Sequence, residues 1–415
     1  MAKDFALSFP EDDEARREFE YQSTQEADRL VQLAKLTPLT DGGLRTLQLL
    51  SEALVKVPHH HEARILRDRL YQMFVPRWHF PMLGDKLRNR AYSAAIASKV
   101  KPGDVVLDIG CGAGLTAMLA ARAGAKHVYT CEQQPLIAQA ASRVIEENGL
   151  ADRITVIPKM SHDLVVGVDL PEPVDVVISE IVDTMLLGEG ALATLSHAMR
   201  DLAKPDARAI PERGKLMAQV VESDPLMDLW RPRAAEGFDL SAFHHFATVA
   251  QITPNDYAAC ELAPLGPAEE LFEFDFTKPD LTPGHAIRHL GCTAAGTIHA
   301  VSVYFQMDLA PGIELTNDLT SDGHWGRTAF LLDQPVPVGQ GDTLTITAQH
   351  DTSQLSLTAD ELAEWQYDPH HRIVSHVWDN GDLLAMDCDD ELQVACKPHG
   401  AEAIRDSAKS AELQM

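Results

Sequence analysis

The run Val106-Leu107-Asp108-Ile109-Gly110-Cys111-Gly112-Ala113-Gly114-Leu115 constrains this chain more than any other stretch. A short apolar strand runs into a turn in which glycines 110, 112 and 114 remove side chains, so that the backbone can approach a ligand. The dinucleotide fingerprint G-x-G-x-x-G requires its third glycine one place later, where Leu115 stands. No Gly-Lys-Ser/Thr follows, which excludes a phosphate-cradling P-loop. An Ala-rich helix comes next, then a strand over 127–131. A helix then carries Ile137, Ala140, Ala141, Val144 and Ile145 on one face and stops at Asn148-Gly149. Further strands fall at 154–157 and 174–178. Strands alternating with helices at this spacing predict an α/β fold with a doubly wound, parallel, Rossmann-like sheet over residues 77–211.

The flanks have different textures. Residues 1–76 read as a helical segment. Periodic runs cover 24–36 (Ala27, Leu30, Val31, Ala34), 44–55 and 63–74, broken at Pro38, Gly42-Gly43, Pro58 and Pro76. Such short breaks predict antiparallel neighbours. From 212 to 385, short strands at 215–222, 270–276, 297–308, 327–332 and 342–348 are separated by Pro and Gly, which predicts a mostly antiparallel β-barrel domain. Residues 224–260 are apolar but irregular (Leu226, Met227, Leu229, Trp230, Phe238, Phe243, Phe246). They fit an arm that buries itself on another subunit, or a loop-rich part of the barrel's own core. Residues 386–415 read as a polar tail.

Charge narrows the partners. Lys+Arg number 35 against 62 Asp+Glu, a formal net charge of −27. That repels nucleic-acid phosphate and anionic membrane and favours a cationic substrate, unless the acidity is only a solvated surface. Cys111, Cys131, Cys260, Cys292, Cys388 and Cys396 form no CxxC pair and read as reduced, packed thiols. His59, His60 and His61 are consecutive, so their side chains diverge; a surface loop is expected and no metal site. The N-terminus turns acidic before an apolar stretch could form, unlike a secretory signal. No run approaches the roughly 18 apolar residues of a membrane span. A soluble, cytoplasmic protein is expected.

A second chemical signature follows the strand at 174–178: Ser179-Glu180-Ile181-Val182-Asp183-Thr184-Met185-Leu186-Leu187-Gly188-Glu189-Gly190. Glu180 sits at the carboxyl end of a sheet strand, where open α/β sheets bind ligands. Glu189 lies nine residues on, between two glycines that allow a sharp return. Two carboxylates at one pocket repel unless a cation lies between them, and the planar cation that fits both is a guanidinium. By itself the pair could equally be solvated glutamates or a helix cap.

The glycine loop resembles motif I of the class I S-adenosylmethionine-dependent methyltransferases, and Glu132, ending the second strand, stands where that family's carboxylate accepts both ribose hydroxyls. Over residues 71–360 the chain resembles the protein arginine methyltransferases. Glu180 and Glu189 match the double-glutamate loop, and Met82-Leu83-Gly84-Asp85-Lys86-Leu87-Arg88 matches the donor-loop Met-Leu-x-Asp-x-x-Arg. Gly323-His324-Trp325 matches the Thr-His-Trp loop, with glycine in place of threonine, and Gly237-Phe238-Asp239-Leu240-Ser241 falls where the family has its dimerisation arm. Arg77-Trp78-His79-Phe80 replaces the common Tyr-Phe-x-x-Tyr and, with Gly188-Glu189-Gly190, looks most like the branch that makes monomethyl or symmetric dimethyl arginine. Relatives there carry two tandem cores, whereas this chain has one, preceded by helices; a homodimer could replace the second core.

The resemblance implies S-adenosyl-L-methionine as donor. Arg88 would pair with its carboxylate, Asp108 or nearby backbone (Gly110, Cys111, Gly112) with its amino group, Glu132 with its ribose, and Met160 and Ser161 with its adenine. Glu180 and Glu189 would hold the acceptor guanidinium, with His324 orienting it or receiving charge, Trp325 packing beside, and Met82 limiting the number of methyl groups. Free L-arginine and protein-bound arginine fit equally. Two other readings are a non-catalytic binding module with this fold and a methyltransferase for another small amine or guanidine. Intact Glu180, Glu189, Glu132 and Arg88 argue against the first.

Overall fold

The computed structural model describes residues 12–360 and, in a second compact unit, the strand pair His376–Asp379 and Asp382–Ala385. The expected tail at 386–415, with Cys388 and Cys396, lies outside the described residues. Among the described residues no helix is long and apolar enough to cross a membrane.

Three helices open the described chain: α1 (Asp13–Leu36), α2 (Leu44–Lys56) and α3 (His61–Phe74). α1 begins well ahead of residue 24. Asp12 caps it by accepting from the Glu14 amide (3.3 Å), and Asp13 and Glu14 favour its positive end. Its first turns carry no apolar stripe, so periodicity alone misses them. Ala27, Val31 and Ala34 pack against Leu49, Leu50, Ala53 and Ala63 in a cluster of their own. His60 is a cap rather than a free loop residue. Its Nδ1 accepts from the Ala63 amide (3.2 Å), and its Nε2 meets Asp28 of α1 at 2.9 Å.

Two helices, α4 (His79–Gly84) and α5 (Lys86–Lys99), lead into alternating β1 (Val105–Ile109), α6 (Leu115–Ala123), β2 (His127–Cys131), α7 (Pro135–Glu147), β3 (Ile154–Ile157), β4 (Val174–Ser179), α8 (Ala191–His197) and β5 (Ala203–Ile210). All five strands pair in parallel in the order β3-β2-β1-β4-β5. β1 lies at the centre with every residue buried, as a parallel strand covered on both faces must. β5 was not legible: Lys204, Pro205, Asp206 and Arg208 mask an edge strand. Strand order reverses between β1 and β4. Their connections leave in opposite directions, which opens a crevice beyond their carboxyl ends. The glycine loop after β1, Glu132 after β2 and Glu180 after β4 all stand at that end of the sheet. The α1–α2 turn is seated nearby. Gly42 (φ 68°) approaches so closely that a Cβ there would lie 2.6 Å from Pro135 Cδ and 2.9 Å from Gln134 Oε1.

The second half is antiparallel. β6 (Arg213–Glu222) and the long strand Gly296–Ala310 form the spine of a seven-stranded sheet that also holds Arg327–Val338 and Glu269–Asp275. Along β6, Gly214, Leu216, Ala218 and Val220 alternate inward, the two-residue period of a half-buried strand. A three-stranded sheet, Gly284–Gly291, Thr343–His350 and Leu355–Asp360, packs with it. Arg288 joins the two by donating Nε to the Glu270 carbonyl (2.6 Å) and Nη2 to that of Leu271 (2.9 Å). The last of these strands in the first unit ends at Asp360; in the second unit, within the segment expected to run to 385, His376–Asp379 pairs with Asp382–Ala385.

Part of the 224–260 stretch belongs to the barrel's own core. Val249–Ile252 pairs with Arg327–Phe330 and is part of the barrel's own sheet, and Leu226, Ala250, Ile252 and Cys260 are buried with Val221 and Ala300. Between them Leu229, Phe238, Phe243 and Phe246 stay exposed, the three phenylalanines by 69–73%. Leu107, fully buried in β1, tests the architecture. Leu107→Ala is expected to cost about 2–5 kcal/mol of unfolding free energy, read as a lowered urea midpoint. A midpoint within error of wild type would remove β1 from the centre of the core.

Candidate active site

Arg88 and Glu180 are the buried ion pair around which the site is built. Asp85 caps α5, its carboxylate accepting from the Arg88 amide (2.9 Å). That fixes the first turn, and Arg88 leaves it toward the sheet with its side chain 5% exposed. Nη2 donates to Glu180, itself 7% exposed, and Nη1 to Asn89 Oδ1 (2.9 Å). Its Nε is buried with no partner in the protein. A buried guanidinium N–H left free is costly, so this donor fits an incoming anionic group. Burial raises the Glu180 carboxyl above its usual value, and the Arg88 charge opposes that rise.

A cavity of about 460 Å³ opens beside this pair, at the switch between β1 and β4. It brings together ten of the residues expected from sequence: Met82, Arg88, Gly110, Cys111, Gly112, Glu132, Met160, Ser161, Glu180 and Glu189. The glycine loop can line it because Gly110 and Gly112 have φ of 81° and 52°. At Gly110 a Cβ would also lie 2.8 Å from Ile181 Cγ2, against the residue after Glu180. Glu132 is aimed by two backbone donors, Gly112 N at 3.1 Å and Gln134 N at 2.9 Å. A fixed carboxylate has acceptor capacity left for two hydroxyls. Burial drives the Cys111 thiol far up, so it is an inert wall.

Glu189 stands exposed at the rim. Asp183 folds the loop toward it by accepting from the amides of Met185 (3.1 Å) and Gly188 (3.0 Å). Desolvation by the surrounding loop, then the charges of Glu180 and Asp183, raise the Glu189 carboxyl to about 7. Two acids that resist joint ionisation make a site for a cation.

Three expected residues stand off the cavity wall. Asp108 lies beneath the glycine loop with its carboxylate engaged by Thr130 Oγ1 (2.7 Å), and burial raises it to about 6. Trp325 is packed edge-on against Phe305 (centroids 5.1 Å) and donates Nε1 to the Val182 carbonyl (3.1 Å), so its ring is used in holding the double-glutamate loop. His324 turns to Asp85. That carboxylate accepts from the His324 amide (2.8 Å) and lies 3.0 Å from Nδ1. Burial lowers the imidazole's pKa and Asp85 opposes the change. Asp85 itself is pushed up by burial, but hydrogen bonds from Arg88 and His324 outweigh this and leave it low. An ionised carboxylate only accepts, so Nδ1 carries the proton and Nε2 is left as the basic atom. Asp85 thus joins His324 to the helix that delivers Arg88. It lay unremarked inside the matched motif, although an Asp one residue before a helix is a cap signal. Phe74, Pro76, Gln134 and Lys159 also line the cavity without a chemical signature in sequence, as do Trp78 and His79 of the segment that replaces Tyr-Phe-x-x-Tyr.

Comparison with known proteins supports the same class. A family model described as ribosomal protein L11 methyltransferase (PrmA) matches residues 93–210, and one described as arginine methyltransferase oligomerization subdomain matches residues 212–367. The arginine N(omega)-methyltransferase of Streptomyces achromogenes subsp. streptozoticus is 42% identical over 279 residues, which are 66% of this chain and 75% of that one. Protein arginine N-methyltransferase 7 of Danio rerio is 31% identical over 313 residues, 68% of this chain and 46% of that one. This chain therefore spans less than half the length of the latter. The Trypanosoma brucei PRMT1 enzyme–prozyme heterotetrameric complex with AdoHcy superposes with a TM-score of 0.58 at 25% identity, covering 65% of this chain and 86% of that one. Fold and site define a methyltransferase of the doubly wound class with a β-barrel attached. More narrowly, the chain belongs to the protein arginine methyltransferase family.

Glu189 provides a direct test of this electrostatic description. Its carboxyl is expected to be neutral below about pH 7 and anionic above, and added guanidinium ions, which favour the anion, should lower the midpoint. Carboxyl NMR of the protein labelled at glutamate checks both; a midpoint near the ordinary 4.5 would remove the crowded pair.

Proposed function

We propose that this chain transfers a methyl group from S-adenosyl-L-methionine to a guanidino nitrogen of arginine. The observation that carries the proposal is Glu180 and Glu189 on one cavity with a guanidinium, that of Arg88, already paired to the first. When bound, the cofactor supplies a methyl carbon activated by sulfonium. The chain's residues fit it. The free Nε of Arg88 suits a carboxylate, Glu132 suits the ribose hydroxyls, and Met160 and Ser161 offer an adenine wall.

An arginine guanidinium in water is a poor nucleophile, since its charge is spread over three nitrogens and its pKa is above 12. Glu180 and Glu189 draw positive charge toward the nitrogens they contact and leave the remaining one richer in electrons. They also hold it in line, so the contribution is positioning plus fixed electrostatics. Met82, buried against the cavity, limits the room beside that nitrogen. Asp85 and His324 brace the helix that carries Arg88, and Nε2 of His324 is the basic atom nearest that brace.

Assembly and setting belong to the same proposal. A homodimer through the exposed face at 229–246 is supported by Phe238, Phe243 and Phe246 and by the match to an oligomerization subdomain. A cytoplasmic setting keeps the buried thiols Cys111, Cys131, Cys260 and Cys292 reduced.

Incubation with labelled donor and either free L-arginine or an arginine-rich peptide, followed by amino-acid analysis, tests the reaction, and the product assigns the substrate class. No methylated guanidine from either would overturn it. Glu180→Gln or Glu189→Gln is expected to lower turnover by about 10²-fold or more, with donor binding holding in Glu189→Gln, which leaves Arg88 paired. Near-normal turnover in either variant refutes the two-acid clamp. Arg88→Ala should weaken donor affinity by about 10- to 100-fold, the loss of a charge-assisted contact, read by calorimetric titration. Unchanged affinity would remove Arg88 from the donor site.

A further inference from the structure

The double-glutamate loop grows from the parallel-sheet domain, while the His324 loop grows from the barrel, yet both meet the same catalytic apparatus. Something must fix their separation. Asn317, 2% exposed, follows the strand Ile313–Thr316 and uses every hydrogen-bonding group of its side chain. Oδ1 accepts from the Phe305 amide (2.8 Å), in the barrel's long strand. Nδ2 donates to the Thr184 carbonyl (3.0 Å) in the double-glutamate loop, and to the Gly326 carbonyl (3.0 Å) two residues after His324. The acceptors settle the amide's orientation, because a flipped Oδ1 would face two carbonyls. A primary amide's two N–H bonds diverge by about 120°, so two carbonyls on one nitrogen are held about 5 Å apart.

Neighbouring contacts share this frame. Thr184 Oγ1 meets Thr328 Oγ1 at 2.8 Å, and Trp325 Nε1 reaches the Val182 carbonyl. Behind the His324 loop, the Arg327 guanidinium donates to the carbonyls of Asp318, Leu319 and Ser321 and lies 3.5 Å from the ring centroid of Tyr257. Gly326 fits only because it lacks a side chain: a Cβ would lie 2.8 Å from the Ile252 carbonyl and 3.5 Å from Thr184 Cγ2. Asn317 belongs to neither loop and grips the backbone of each through a single planar group. Its donors reach carbonyls rather than side chains, so they set backbone position.

We propose that Asn317 is a positioning residue for methyl transfer: its amide ties the Glu180–Glu189 loop to the His324 loop and fixes the acceptor side of the cavity. The inference rests on the function proposed above. Asn317 does not line the cavity, and Arg88, Glu132 and the glycine loop are not among its partners. Its loss therefore acts first on the acceptor and on turnover, and reaches the donor side only through His324 and Asp85, the brace on the helix of Arg88.

The experiment compares the full-length wild type with Asn317→Ala and with Thr328→Val, which removes one neighbouring tie isosterically. It measures steady-state kinetics with arginine, calorimetric affinity for S-adenosylmethionine, and hydrogen exchange of peptides covering 180–190 and 105–115. Asn317→Ala is expected to lower kcat by about 30-fold or more, the scale of an ångström's misplacement. Thr328→Val is expected to lower it by about three- to ten-fold, a single tie lost. Donor affinity should stay within about two-fold in both, and exchange should rise at 180–190 and not at 105–115. A kcat within about three-fold of wild type for Asn317→Ala overturns the proposal. So does a parallel loss of donor affinity with faster exchange at 105–115, which marks general loosening. If Asn317→Ala does not fold, Thr328→Val decides by its kcat and exchange. If wild type methylates no arginine, the function proposed above fails, and the exchange pattern alone decides the positioning role.

Discussion

A guanidinium and a carboxylate pressed together inside a protein are costly to desolvate, and removing one partner leaves an uncompensated charge in the interior. The pair Arg88–Glu180 has that character, and most of the site depends on it. It needs the first turn of α5 capped by Asp85, so that Arg88 emerges at the right point. It also needs β4 to end where Glu180 meets that guanidinium, which the parallel register of β1 and β4 guarantees. The pair is under-satisfied: Nε of Arg88 has no partner among the described residues, and Glu180 keeps acceptor capacity. Both residues line the cavity, where unmet hydrogen-bonding capacity of either sign can be used.

The chain as a whole carries a net charge of −27. Locally the balance is different. Arg88 and Lys159 stand on the cavity wall, with Lys159 held by Asp169 at 2.6 Å. The acids that dominate elsewhere are here either pinned by backbone amides, as Glu132 is, or crowded toward neutrality, as Glu189 is. The global field favours cationic ligands, while the local one leaves room for an anionic group beside Arg88.

How much of this could be read from the chain follows from the reach of each interaction. The parallel domain was legible because its signals are local. β2 and β3 fall on the expected residues, the Asn148-Gly149 stop caps α7, and the glycine loop and Glu132 announce a ligand wall. The double glutamate was legible because its nine-residue spacing is local too. β5 was hidden, since its charged, proline-bearing sequence becomes a strand only through pairing with β4. The first turns of α1 were hidden because a cap and acidic residues, not an apolar stripe, begin the helix. Asp85–His324 and Asn317–Thr184 were out of reach for another reason: their partners are separated by 239 and 133 residues. Single hydrogen bonds at that separation leave no periodicity. The irregular stretch from 224 to 260 divided between two fates because its strand at 249–252 finds a partner and its phenylalanines do not.

The seat of Gly42 against Pro135 and Gln134 has a practical consequence. Turns between antiparallel helices are ordinarily the safest points for grafting extra sequence. Here the turn leans on the segment that includes Gln134, whose amide steers Glu132. A fluorophore attached at this bend would sense the Glu132 wall of the cavity from outside, with no probe inside it.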